Sequence, residues 1–224
     1  MEQIEKNTVS AENQLKTKQP IFFENKNGKG KKVLFVGNSI TKHGEKEDIG
    51  WYGNYGMAAS SKEKDYVHLV MKEIQKTDLD AAICIVQAAE WERRYADCSY
   101  GIEWMQPAKD FNADIIIMRL IENCDWKSYD SDIFEKRYTE LIDYLNNDNA
   151  KVILTTGFWN HPLDKCILKI GEDFGYKIVY LGDLGEDESM KAIGMFEHSG
   201  VAAHPGDKGM EMIAERINRF IREF

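Results

Sequence analysis

Three residues far apart in the chain could act together: Ser39, Asn123 and His204. Ser39 ends a small polar cluster that follows Lys31-Lys32-Val33-Leu34-Phe35-Val36-Gly37-Asn38. A serine hydroxyl is a weak nucleophile until a general base takes its proton, and a loop histidine of near-neutral pKa is the usual supplier. His204 lies in such a loop, Gly200-Val201-Ala202-Ala203-His204-Pro205-Gly206, ahead of an amphipathic stretch. Between them Asp114-Ile115-Ile116-Ile117-Met118-Arg119-Leu120-Ile121-Glu122 delivers Asn123, whose amide can donate to a developing oxyanion. The chemistry these types support is acyl transfer through a serine.

The elements that must hold them follow from periodicity. Short apolar, β-branched runs at about 33–37, 82–87, 114–120, 151–156 and 177–181 read as buried parallel strands. Helical patterns fall between them near 63–76, 101–110, 131–147, 162–174 and 207–222. The alternation predicts a three-layer α/β/α domain with a flavodoxin-like, five-stranded parallel sheet in the order 2-1-3-4-5. That order sets the first and third strands side by side, bringing Ser39 and Asn123 together at the carboxyl ends where ligands collect. Met210, Ile213, Ala214, Ile217, Phe220 and Ile221 form the apolar stripe of the last helix, which anchors the loop carrying His204.

On these residues the chain resembles the SGNH (GDSL-type) hydrolases, from about residue 31 onward. Gly37-Asn38-Ser39-Ile40-Thr41 is similar to the first block of that family, with Asn38 where Asp is commoner. Glu122-Asn123 is similar to the end of the third block, and His204-Pro205 to the fifth. The resemblance implies a serine esterase with Ser39 as nucleophile and His204 as base. The Ser39 N–H, the Ala89 N–H and the Asn123 amide would form the oxyanion hole. Three positions depart from the family pattern. Gln87-Ala88-Ala89-Glu90 lacks the second-block glycine, Ile121 replaces a third-block glycine, and Val201 stands where the acid of the triad is expected. The Nδ1–H of His204 then needs a backbone carbonyl, or another acid such as Glu197 or Asp207.

Aromatic residues crowd the loops on the same presumed side. Aromatic faces beside polar groups suit sugar rings, so Asn38, Trp51, Glu90, Trp91, Trp159 and His161 are the expected substrate-binding residues, within a wider aromatic set that includes Trp104, Trp126 and Phe158. Together with the resemblance to SGNH hydrolases, these loops imply an acetyl ester of a carbohydrate as the substrate. Arg119, inside an apolar strand, needs an acidic partner such as Glu90 or Glu122, because an unpaired buried charge is costly. Two other classes stay open: a non-catalytic carbohydrate-binding or scaffold protein on a degenerate hydrolase fold, and a lipase or thioesterase for longer acyl chains.

Composition excludes several functions. With 29 Lys and Arg against 38 Asp and Glu, the formal net charge of −9 disfavours nucleic acid and anionic membrane as partners. The 224 residues, 43% hydrophobic and 30% charged, suit one soluble domain. Residues 1–30 are polar and read as an N-terminal arm whose Ile21-Phe22-Phe23 packs on the edge of a catalytic domain spanning 31–224. The start of the chain carries no signal-like apolar core, so the expectation is a cytoplasmic protein, or a secreted one if a leader has been removed. The four cysteines, at 84, 98, 124 and 166, lack metal-type spacing; Cys84 reads as a packing residue and Cys124 as packing with a catalytic thiol as the alternative, and no cofactor fingerprint is present.

Overall fold

The computed structural model describes residues 20–147 and 149–224. Its sheet is built from β1 (Ile21–Glu24), β2 (Lys32–Gly37), β3 (Ala82–Gln87), β4 (Ile115–Arg119), β5 (Lys151–Thr155) and β6 (Lys177–Val179). The order across it is β1-β3-β2-β4-β5-β6. The expected five-stranded, all-parallel sheet is therefore corrected to six strands of mixed direction. The added strand is the apolar island in the N-terminal polar segment, which pairs antiparallel to β3 with Ile21 opposite Val86. It covers the outer edge of β3, whose backbone groups would otherwise lack partners. The rest of the arm, residues 1–19, lies outside the described residues.

Side chains alternate between two cores, as the two-residue period of a strand requires. Leu34 and Val36 of β2, Cys84 and Val86 of β3, and Ile116 and Met118 of β4 face one layer. That layer is formed by α2 (Ala89–Arg94), α3 (Gln106–Asp110), α4 (Ser131–Leu145) and α5 (Asp164–Phe174). Val33, Phe35, Ile83, Ile85, Ile115 and Ile117 face the other, under α1 (Tyr66–Ile74) and α7 (Asp207–Ile221). A short helix, α6 (Ser199–Ala202), precedes α7. Met210, Ile213, Ala214, Ile217 and Ile221 of α7 are buried, at about 1.5–3 kcal/mol for each large side chain. This packing fixes the loop that carries His204. No helix among the described residues is long and apolar enough to cross a membrane.

Candidate active site

Ser39 owes its position to the abrupt end of β2. A side chain on Gly37 would sit 1.8 Å from Thr41 Oγ1, so only glycine lets the chain fold this closely after the strand. The N–H groups of Thr41 and Lys42 then donate to the Asn38 carbonyl, closing a turn, and the Met57 N–H donates to the Ser39 carbonyl. Strands β2 and β4 are neighbours, with Gly37 opposite Arg119. The serine and asparagine loops therefore leave the sheet side by side.

The hydroxyl of Ser39 lies 2.8 Å from His204 Nε2, across 165 residues of sequence. The other ring nitrogen, Nδ1, donates to the Gly200 carbonyl at 2.7 Å. This carbonyl is free because the last turn of α6 tightens: the His204 N–H donates to Val201 O rather than to Gly200 O. With Nδ1 protonated, the Nε2 lone pair faces Ser39. Neither acid suggested for that nitrogen is in place. Asp207 is held by the Ser60 N–H and hydroxyl and by Lys64. Val201 is buried against Trp51, Met57, Ala58 and Ala192, so a carboxylate there would be stripped of water. Burial pushes the His204 imidazole down to about 4, against the Gly200 hydrogen bond, which favours the proton. At neutral pH the ring is thus an unprotonated base.

Beneath this pair lies a buried polar network. Asn38 is fully buried. Its Nδ2 donates to Glu92 Oε1 at 2.9 Å and to Glu122 Oε2 at 2.6 Å, while its Oδ1 accepts from Arg119 Nη1 at 3.1 Å. Arg119 is ion-paired to Glu122, which also accepts the Phe158 N–H at 2.9 Å. Glu92 Oε2 accepts from Asn123 Nδ2 at 2.6 Å, and Arg93 Nη2 donates to Asn123 Oδ1 at 3.0 Å. Burial, followed by the charge of Glu122, raises the Glu92 carboxyl well above the usual range. Cys124, next to Asn123, is buried and its thiol is pushed up by burial and these carboxylates, so it is not a thiolate.

The expected substrate-binding residues divide. Trp159 stands edge-on to the His204 ring, 5.5 Å between centroids. Glu90 is exposed and 3.7 Å from Arg93; it does not reach Arg119, whose partner is Glu122. Three residues are corrected from substrate contacts to structural ones. Asn38 is enclosed by the network. Trp51 packs edge-on against Tyr55 while its Nε1–H donates to the His43 carbonyl. Trp91 is fully buried among Tyr95, Phe134 and Tyr138. His161 is also nearly buried: its Nδ1 accepts the Leu163 N–H and its ring meets Trp126 at 4.5 Å. Trp126 itself is 46% exposed. The Ala89 N–H is directed at Gln87 Oε1, 3.3 Å away, so a side-chain oxygen stands where an oxyanion was expected. The sequence reading missed Glu92 and the helix that carries it. Its one available signal was the charge of Arg119, which demanded acids within reach.

No protein-family model and no curated protein matches this sequence. Solved structures do. A two-domain esterase active on acetylated mannans is 19% identical with a TM-score of 0.55, covering 89% of this chain and 50% of that one. The chain thus spans about half the length of that protein. An acetyl xylan esterase is 18% identical, with a TM-score of 0.51 and coverage of 85% and 99%. A psychrotrophic esterase from Pseudoalteromonas sp. is 12% identical, with a TM-score of 0.56 and coverage of 86% and 97%. Two further neighbours are described as GDSL-like lipases, from Parabacteroides merdae and Bacteroides ovatus, with TM-scores of 0.53 and 0.50. The fold is the one these proteins share.

Proposed function

We propose that this protein is a serine ester hydrolase that removes small acyl groups, acetyl foremost, from carbohydrate. The observation that carries the reading is the 2.8 Å contact between Ser39 Oγ and His204 Nε2, with the opposite ring nitrogen anchored on Gly200. The shared fold with esterases of acetylated mannan and xylan supports the substrate class. The proposed catalytic domain is residues 31–224 with β1 added at the edge of its sheet.

In the proposed reaction Ser39 Oγ attacks the ester carbonyl carbon as its proton passes to His204 Nε2. The resulting oxyanion takes hydrogen bonds from the Ser39 N–H and the second Nδ2 hydrogen of Asn123, and from the Ala89 N–H once Gln87 Oε1 is displaced. Collapse breaks the bond to the alkoxide, which leaves with the proton from His204. Water, deprotonated by the same nitrogen, then attacks the acyl-serine and releases the carboxylic acid. A carbonyl on Nδ1 fixes the required tautomer but carries no charge to stabilise the imidazolium. Losing an acid commonly costs about 10⁴ in rate when the wrong tautomer results; here that component is avoided. Trp159 stands beside the imidazole, and exposed Trp126 would offer a face for a sugar ring.

The test is turnover of p-nitrophenyl acetate by the purified chain and by Ser39→Ala, together with an acyl series from acetate to octanoate. The proposal expects a loss of about 10³-fold or more in Ser39→Ala and rates that fall with chain length. Equal rates in the two proteins refute the role of Ser39. Rising rates with chain length favour a lipase. Calorimetric sugar binding with no ester turnover favours the non-catalytic reading that Val201 motivates.

A further inference from the structure

We propose that Glu92 is a positioning residue for the oxyanion-binding amide of Asn123, acting as an ionised carboxylate on which three N–H donors converge. This inference rests on the esterase reading and adds to it a residue and a regulation. Glu92 is fully buried on α2. Its Oε1 accepts from Asn38 Nδ2 and from the Ile121 N–H, and its Oε2 accepts from Asn123 Nδ2 at 2.6 Å. The next residue on the same helix, Arg93, donates to Asn123 Oδ1 at 3.0 Å. The amide of Asn123 is therefore held at both ends by one helix. Rotating it by half a turn would set its NH₂ against a guanidinium and its oxygen against a carboxylate, so only one orientation is satisfied. In that orientation one Nδ2 hydrogen is committed to Glu92 and the other remains to meet an oxyanion.

Every group that Glu92 touches is a donor. A proton on Glu92 would turn one oxygen into a weaker acceptor and offer an O–H for which none of these three partners is an acceptor, so the arrangement favours the ionised form. The charged groups packed around it are Glu122, which opposes ionisation, its ion-pair partner Arg119 and, beyond Asn123, Arg93. Cys124 and Tyr138 also face the network, and burial holds both in their neutral forms. Glu92 is accordingly poised to take a proton at a pH above the ordinary carboxylate range, releasing Asn123. Removal of one oxyanion donor lowers kcat by about 10²–10³, and displacement of the donor should cost a fraction of that.

The experiment measures kcat and KM for p-nitrophenyl acetate from pH 4 to 9 with the full chain as wild type, Asn123→Ala, Glu92→Gln and the double variant. Glu92→Gln should lower kcat by about 10–100-fold with KM within about threefold, and the double variant should be no slower than the slower single one. The wild type should show an acid limb above the ordinary carboxylate range. Asn123→Ala should lack it and keep only the limb near 4 that belongs to His204. Multiplying losses in the double variant, or the same upper limb in Asn123→Ala, overturns the inference. If Glu92→Gln does not fold, the comparison of the two pH profiles decides alone, since it needs only wild type and Asn123→Ala. Absence of turnover in the wild type refutes the esterase reading itself and this inference with it; a failure confined to the variants leaves that reading standing.

Discussion

Replacing Arg119 by methionine keeps most of the side-chain volume and removes a charge from the base of the site. Arg119 is fully buried, pairs with Glu122, and donates from Nη1 to Asn38 at 3.1 Å. In Arg119→Met the Glu122 carboxylate keeps the Phe158 N–H and Asn38 Nδ2 but loses its counter-charge, with Glu92 close by. Breaking a buried pair from one side costs about 3–5 kcal/mol. For a domain of this size, with about 2–4 °C per kcal/mol, the melting temperature should fall by about 6–20 °C. Urea titrations followed by tryptophan fluorescence at pH 7 measure the loss. Adding Glu122→Gln should recover more than half of it, because the unpaired charge is then gone. A deficit below about 1 kcal/mol, or one that Glu122→Gln does not reduce, would refute the view that this network is held together by charge pairing.

Three further outcomes are expected. Gly37→Ala puts a methyl 1.8 Å from Thr41 Oγ1, against the buried Thr41–Tyr66 hydrogen bond; it should cost about 1–3 kcal/mol in urea melts and lower kcat more than it raises KM. His68 is half-enclosed; burial opposes its charge, but hydrogen bonds to Asp65 and Glu24 outweigh that and raise it from 6.5 to about 9. The stability it contributes is complete below about pH 6.5 and lost as the pH rises through about 9, so the unfolding free energies of wild type and His68→Leu in urea melts should differ at pH 6, by on the order of 1 kcal/mol after screening, and converge by pH 10. Trp159→Ala opens His204 to water, so its titration followed by proton NMR should move up from about 4 towards 6.5; an unmoved titration would show that Trp159 does not shield the ring.

What the sequence disclosed and what it hid have separate physical origins. The runs at β2, β3 and β4 are apolar on both faces, which only a strand covered on both sides requires, and Gly37 marks the end of the first. Ser39 and His204 stood out because each sits in a loop beside an element whose pattern is strong, Ser39 just past β2 and His204 just ahead of α7. Strand β1 was not, because four residues in a polar segment become a strand only by pairing with β3. Helix α2 was missed because Ala-Glu-Trp-Glu-Arg-Arg looks like a solvated charge run until Glu92 is seen facing inward with Trp91. Trp51 and Trp91 misled for a related reason: an aromatic beyond a strand end can face a ligand or turn back into the core, and local sequence carries nothing to separate the two. The acceptor for His204 Nδ1 is a main-chain carbonyl released by the tight end of α6, a feature of backbone path rather than of residue type.

The most direct measurement is labelling of the intact chain with a fluorophosphonate, with the adduct located by mass spectrometry. Activation by the imidazole predicts one adduct, on Ser39, formed in wild type and lost in His204→Ala. An adduct on another residue, or on Ser39 at the same rate without His204, would contradict the account.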